Sequence, residues 1–177
     1  LRLIVWSLRS LLDSAFTLVV VAQRSLSREM EMQADLVAVS LTGSDALIHA
    51  LHRLQVADDA WDRTLNFLGG EFANKRVPKD AFTIQTHVIA RMGELLNVAD
   101  YGQIPACTDV NPARHRLFKA EIAQPPRMWA THPFNHEREE NAKRHYLVTE
   151  GDARSAWELF EHTEALREQV SARLCRE

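Results

Sequence analysis

Glycine and proline are absent from the first 42 residues, Leu1 to Thr42. Without either breaker, nothing local interrupts an α-helix, so one long helix or two nearly continuous ones is expected there. Gly43 ends it in the manner of a C-cap. Cysteine is scarce too: Cys107 and Cys175 are the only two, with no C-x-x-C. No disulfide framework follows, and a reducing compartment is allowed. A strong excess of one charge is also missing. The net charge of -3 gives no general pull toward nucleic acid or an anionic membrane surface. Nothing alternates with period two, and neither internal repeats nor low-complexity segments occur. The fold class is therefore all-α, or mainly α.

An unbroken apolar run of membrane-spanning length is lacking as well. From Leu3 to Ala22 the only charges are Arg9 and Asp13, four apart and able to pair on one helical face. Even with Thr17 allowed, the run Ala15 to Ala22 falls well short of the roughly 18 residues that signal a span. No signal-peptide order is present. The chain begins with Leu inside an apolar pattern, which reads as a longer protein cut within a helix. That start is compatible with a membrane-associated parent. It would also leave an uncovered helix through which copies self-associate.

What is there suits one ordinary globular domain: 177 residues, 46% apolar and 25% charged. Three regions follow from the punctuation: a long helix over 1–43, a helical region and loop over 44–124, and a last region over 125–177. Ser44 or Asp45 caps a helix to about Val56, with Leu47, Leu51 and Leu54 inward. Helical pattern resumes from Asp58 to Leu68, breaks at Gly69-Gly70, and returns from Lys79 to Leu96. Asn97 to Pro112 reads as a long loop, and Ala113 to Ala123 as a short helix ended by Pro125-Pro126. Asn135 is a suitable N-cap, with Glu139 and Glu140 in the first turn after it. Asp152 caps a last amphipathic helix to about Cys175, its apolar set being Ala156, Leu159, Phe160 and Leu166. His49 and His52 read as an exposed pair rather than metal ligands, since no third ligand has a suitable spacing. The four tryptophans, and Met30 and Met32, read as packing residues.

The second half of the long helix carries two polar stripes. Around Glu31, at about 60° or less on the helical wheel, lie Arg24, Arg28, Asp35, Ala38 and Thr42. Glu29, Gln33 and Ser40 lie opposite. Leu26, Met30, Val37 and Leu41 fill one flank, and Met32, Leu36 and Val39 the other. One stripe can face water; the other must face a polar interior or a cleft. Two carboxylates on an apolar element are costly without a cation. Three readings of Glu31 and Asp35 stay open: ion pairs with Arg24 and Arg28, a general acid/base pair, or a metal ligand with its supporting carboxylate.

Ser27-Arg28-x-x-Glu31-x-x-Ala34-Asp35 resembles the S-R-x-x-E-x-x-A-D signature of the HtpX-like and CAAX prenyl endopeptidase family of zinc metallopeptidases. Leu41 to Leu51 resembles that family's continuation, a leucine-rich helix after a Gly turn. Thr131-His132-Pro133 with Arg138 resembles its T-H-P…R element. The resemblance implies the helical part of a zincin-like domain, with Glu31 as a Zn2+ ligand and Asp35 holding a ligand His. It implies that His132 and Arg138 stand beside the scissile carbonyl and stabilise the oxyanion. It also implies polypeptide substrates, misfolded or membrane proteins among them, and a membrane-associated parent with a cytoplasmic catalytic domain.

The family's H-E-x-x-H helix, which supplies two zinc ligands and the general base, is absent. His136-Glu137 begins such a string, but Glu140 stands where the second His belongs. Truncation upstream of the Glu31 helix is the expectation, and a catalytically inactive piece follows from it. The competing expectation is a non-catalytic helical interaction module whose carboxylates serve an ion-pair network.

Overall fold

The computed structural model describes residues 2–119, 130–152 and 154–175. The fold is all-α, with no strand among the described residues. The helices are α1 (Arg2–Thr42), α2 (Ser44–Ala73), α3 (Ala81–Leu96), α4 (Asn135–Lys143) and α5 (Thr163–Leu174), with a short 3₁₀ turn at Ala156–Leu159. Two compact units can be distinguished. The first comprises Leu1–Ile48 and Thr108–Glu150, the second His49–Cys107 and Gly151–Glu177.

In the first unit α1 runs unbroken for 41 residues, as the missing Gly and Pro predict. It ends at Gly43, whose φ of 86° lies in the left-handed region and whose N–H bonds the Val39 carbonyl at 2.9 Å. A Cβ at Gly43 would sit 3.0 Å from the Thr149 nitrogen and 3.2 Å from the Leu147 carbonyl, so glycine is required twice over. The Ser44 N–H then bonds Leu147 O, and the Ser44 hydroxyl bonds Ala142 O at 2.8 Å. Val39, Ile48 and Ala142 form the buried core, with Leu47, Leu117 and Phe118 packed on it.

The first half of α1 is different. An 18-residue window there has mean hydropathy 1.6, none of it buried, long and apolar enough to cross a membrane. Counting unbroken runs misses it, because the run is interrupted by Arg9 and Asp13, an i,i+4 pair 3.9 Å apart, and by Ser and Thr hydroxyls that return their protons to the helix. Ser7, Ser14 and Thr17 donate to the carbonyls of Ile4, Ser10 and Asp13. Trp6 is correspondingly exposed rather than packed; in the second half of α1 Met30 is exposed too, with the flank of Leu26, Val37 and Leu41.

The segment Ala113 to Phe118 is turn rather than helix. Asn111 caps it by accepting Ala113 N–H, and the Leu117 and Phe118 N–H groups that would continue a helix go to the Glu139 carboxylate instead. The rest of the expected helix to Ala123, with Pro125-Pro126, lies outside the described residues, as does Trp129. The N-cap of α4 is Phe134, not Asn135, and the Glu137 carboxylate reaches back to accept Phe134 N–H at 3.2 Å.

In the second unit α2 passes through Val56 and through Gly69-Gly70 without a break. A Cβ at either glycine would meet nothing within 4 Å. Each costs about 1 kcal/mol relative to alanine, and Leu68 beside them, 2% exposed, holds the helix down. His49 and His52 are half-buried, not exposed. Leu68, Ala81 and Cys175 form this unit's core with Trp61, Ile84 and Leu174. The expected helix from Asp152 is replaced by the 3₁₀ turn and α5. Arg154 takes the Asp152 carboxylate, Ser155 caps the turn, and His162 adopts φ 52° before α5. Leu159 and Phe160 of the expected apolar set are exposed.

Asp80 caps α3, accepting Phe82 and Thr83 N–H at 3.0 and 3.2 Å and pairing with Arg167 at 2.6 Å. Burial pushes its carboxyl up. The Thr83 hydroxyl, the two amides and Arg167 outweigh that and hold it below the usual carboxylate range. A folded pKa below the unfolded value of about 3.9 stabilises the fold above that pH and is lost as pH falls through the folded pKa. Asp80→Ala is therefore expected to cost about 1 kcal/mol at neutral pH. The cost should fade in acid, as read by α3 amide exchange; a pH-independent cost would contradict the capping account.

Candidate functional site

The site lies wholly within the first unit, where α1 meets the segment 130–143. Helical geometry places Glu31 and Asp35 one turn apart on the same stripe. The Arg138 guanidinium from α4 meets Asp35 side-on: Nε donates to Oδ2 at 2.7 Å and Nη2 to Oδ1 at 2.6 Å. Asp35 keeps 5% of its side chain exposed and Arg138 20%. This is the paired fork that guanidinium geometry favours. The hydrogen bonds to Asp35 raise the Arg138 pKa further above its ordinary value, against the lowering effect of burial. Arg138 is a fixed cation, with Nη1 not committed to Asp35.

One turn earlier, His132 Nδ1 lies 2.6 Å from Glu31 Oε1. An ionised carboxylate only accepts, so Nδ1 carries the proton in this bond. A neutral ring then presents Nε2 as an acceptor, and only the doubly protonated ring donates there. His132 is largely exposed, Glu31 much less so. Glu31 Oε2 makes no hydrogen bond among the described residues. Pro133 sets the chain extended before α4, which lets His132 project from the loop.

The structure thus brings together all four residues singled out from the sequence, as two cross-pairs. The pairing differs from the ion-pair expectation within α1. Arg28 Nη1 donates to the Ala130 carbonyl at 2.7 Å, tying down the start of the His132 loop. Asp35, expected to hold a ligand His, gives both oxygens to Arg138. Neither arrangement is visible in local spacing, since Asp35 and Arg138 are 103 residues apart.

Sequence reasoning missed what anchors α4. Asn141 Nδ2 donates to the Met32 carbonyl at 3.0 Å, and Glu139 is fully buried rather than a first-turn surface acid. One signal was available: α4 reads NHEREENAK, with a single apolar residue, so any buried face had to be polar.

Among the described residues no three His, Cys, Asp or Glu side chains converge as a metal-binding group. Glu31 and His132 offer two donors, whereas a catalytic zinc takes three protein ligands. These residues alone do not make a complete zinc site. The arrangement can hold a carboxylate oriented, and can present a fixed cation and an imidazole beside it. Residues 7–145 match the family model described as peptidase family M48, and no curated protein and no solved structure matches the chain.

Proposed function

The chain belongs to peptidase family M48, a family of metallopeptidases, and from that premise we propose that it is the C-terminal portion of an HtpX-like or CAAX-type zinc endopeptidase. The observation that carries the reading is the paired geometry of Glu31–His132 and Asp35–Arg138 on one stripe of α1. Two further ligands and a general base come from an H-E-x-x-H helix outside these 177 residues, so the chain by itself is inactive. Zinc, when bound, supplies an activated water.

The residues of this chain do the positioning. Glu31 offers Oε2 outward while His132 fixes the rotamer of its carboxylate. Asp35 orients Arg138 and leaves Nη1 to meet negative charge developing on a scissile carbonyl. His132 serves the same oxyanion when Nε2 carries a proton. Substrates are polypeptides, misfolded or membrane proteins among them. The exposed apolar half of α1 supports a membrane-associated parent and offers a surface for self-association; a cytoplasmic catalytic domain is part of the proposal and rests on the family resemblance alone. The alternative is a non-catalytic helical module in which the same pairs serve only as an ion-pair network.

Sequencing upstream of Leu1 separates the two: an H-E-x-x-H there supports the enzyme, and its absence the module. In the full-length protein His132→Ala is expected to retain metal and lose roughly 10²-fold in kcat. Metal affinity weakened by about 10–100-fold with kcat of the loaded enzyme unchanged would instead limit His132 to holding Glu31.

A further inference from the structure

We infer that Glu139 and Lys143 are positioning residues, which clip the 112–118 segment onto α4 and so hold Arg138 against Asp35. α4 has nine residues and one apolar side chain, Ala142. A helix this short is not stable alone, and this one has almost no apolar face with which to dock. Yet Glu139, Asn141, Ala142 and Lys143 are all buried.

The polar contacts replace the missing apolar ones. Glu139, fully buried, accepts Leu117 N–H on Oε1 and Phe118 N–H on Oε2, both at 2.9 Å. Lys143, one turn on and with 2% of its side chain exposed, donates Nζ to Pro112 O at 3.1 Å and His115 O at 2.6 Å. Its ammonium also stands 3.8 Å from Glu139 Oε1 and 3.5 Å from Asp45 Oδ1. Tyr146 completes the cluster by donating its hydroxyl to Asp45.

One face of α4 therefore grips the backbone of 112–118 at both N–H and C=O groups. Arg138 and Asn141 bond α1 through Asp35 and the Met32 carbonyl. A pair of apolar side chains could fill the same volume. The clip adds bonds to particular N–H and C=O groups of 112–118, and the role assigned to it is selection of one backbone register. Arg138 precedes Glu139 directly in the chain, so a shift or rotation of α4 moves the guanidinium off the Asp35 fork. The consequence for hydrolysis rests on the reading of Arg138 given above; the mechanical coupling does not.

The test is hydrogen exchange at the Arg138 Nε–H, followed by nitrogen-15 NMR on the whole chain in detergent micelles, which requires no enzymatic activity. Glu139→Gln keeps the size but turns an amide NH2, a donor, toward one of the two backbone N–H donors. It is expected to speed Arg138 Nε–H exchange about tenfold, mid-range for coupled neighbours. Lys143→Met should do the same, and carries the comparison if Glu139→Gln fails to fold. The double substitution Glu139→Met with Lys143→Met restores packing without the clip, and Arg138 exchange should stay fast. Two results would overturn the inference. One is protection restored in the double variant, which makes the pair mere filling. The other is Leu117 and Phe118 amides freed by either single variant while Arg138 exchanges as in the wild type.

Discussion

Asp35→Ala destabilises the contact between α1 and α4 by about 3–5 kcal/mol. The value should lie toward the lower end, because Arg138 keeps 20% of its side chain in water. The cost arises less from the lost attraction than from what stays behind. Arg138 is held protonated by its bonds to Asp35, and its ordinary pKa is already far above neutrality. It cannot escape by giving up a proton, as a buried Lys or His can. Replacing both partners, Asp35→Leu with Arg138→Met, should recover most of the loss, since no charge is then stranded. Amide exchange at Val39 and Ala142 reads this locally, which matters because the two units need not unfold together. Protection unchanged in Asp35→Ala would mean that the pair contributes nothing to holding α4.

Glu31→Gln in the full-length protein should abolish metal binding and peptide hydrolysis together. The rate loss should exceed the roughly 10²–10³-fold that follows removal of a single oxyanion donor. Glutamine keeps the shape and can still accept a hydrogen bond from His132, so the fold is spared. It lacks the anionic oxygen through which a carboxylate binds zinc. Metal content by mass spectrometry and turnover on an unfolded polypeptide would be measured side by side. A variant that keeps both would remove Glu31 from the ligand set and leave the ion-pair module as the better account. The His132 loop makes a useful control, because its bond to Glu31 survives in the glutamine variant while the charge does not.

The long helix and its stop at Gly43 were legible because they depend on local rules alone: no breaker for 42 residues, then the one residue that tolerates a positive φ. Glu31 and Asp35 stood out for a similarly local reason, since period 3.6 puts both on one stripe. Elsewhere local signals misled. Gly69-Gly70 reads as a stop, but burial of Leu68 beside it outweighs the propensity of two exposed glycines. Ala113 to Phe118 reads as helix, but its amides are captured by a carboxylate more than twenty residues away in the chain. Met30 reads as core, but no described element covers its flank of α1.

The sequence by itself determined an all-α chain, the position of the carboxylate pair, and the likeness in Ser27–Asp35 and Thr131–Arg138 that points to peptidase family M48. Each is a matter of periodicity or order along the chain. Only the tertiary structure decided which partner each of these polar side chains meets: His132 for Glu31, Arg138 for Asp35, and the Ala130 carbonyl for Arg28. Hydrogen bonds and ion pairs form between atoms within about 3 Å of each other. The spacing of residues along α1 says which side chains share its face, and nothing about which loop will be folded against it.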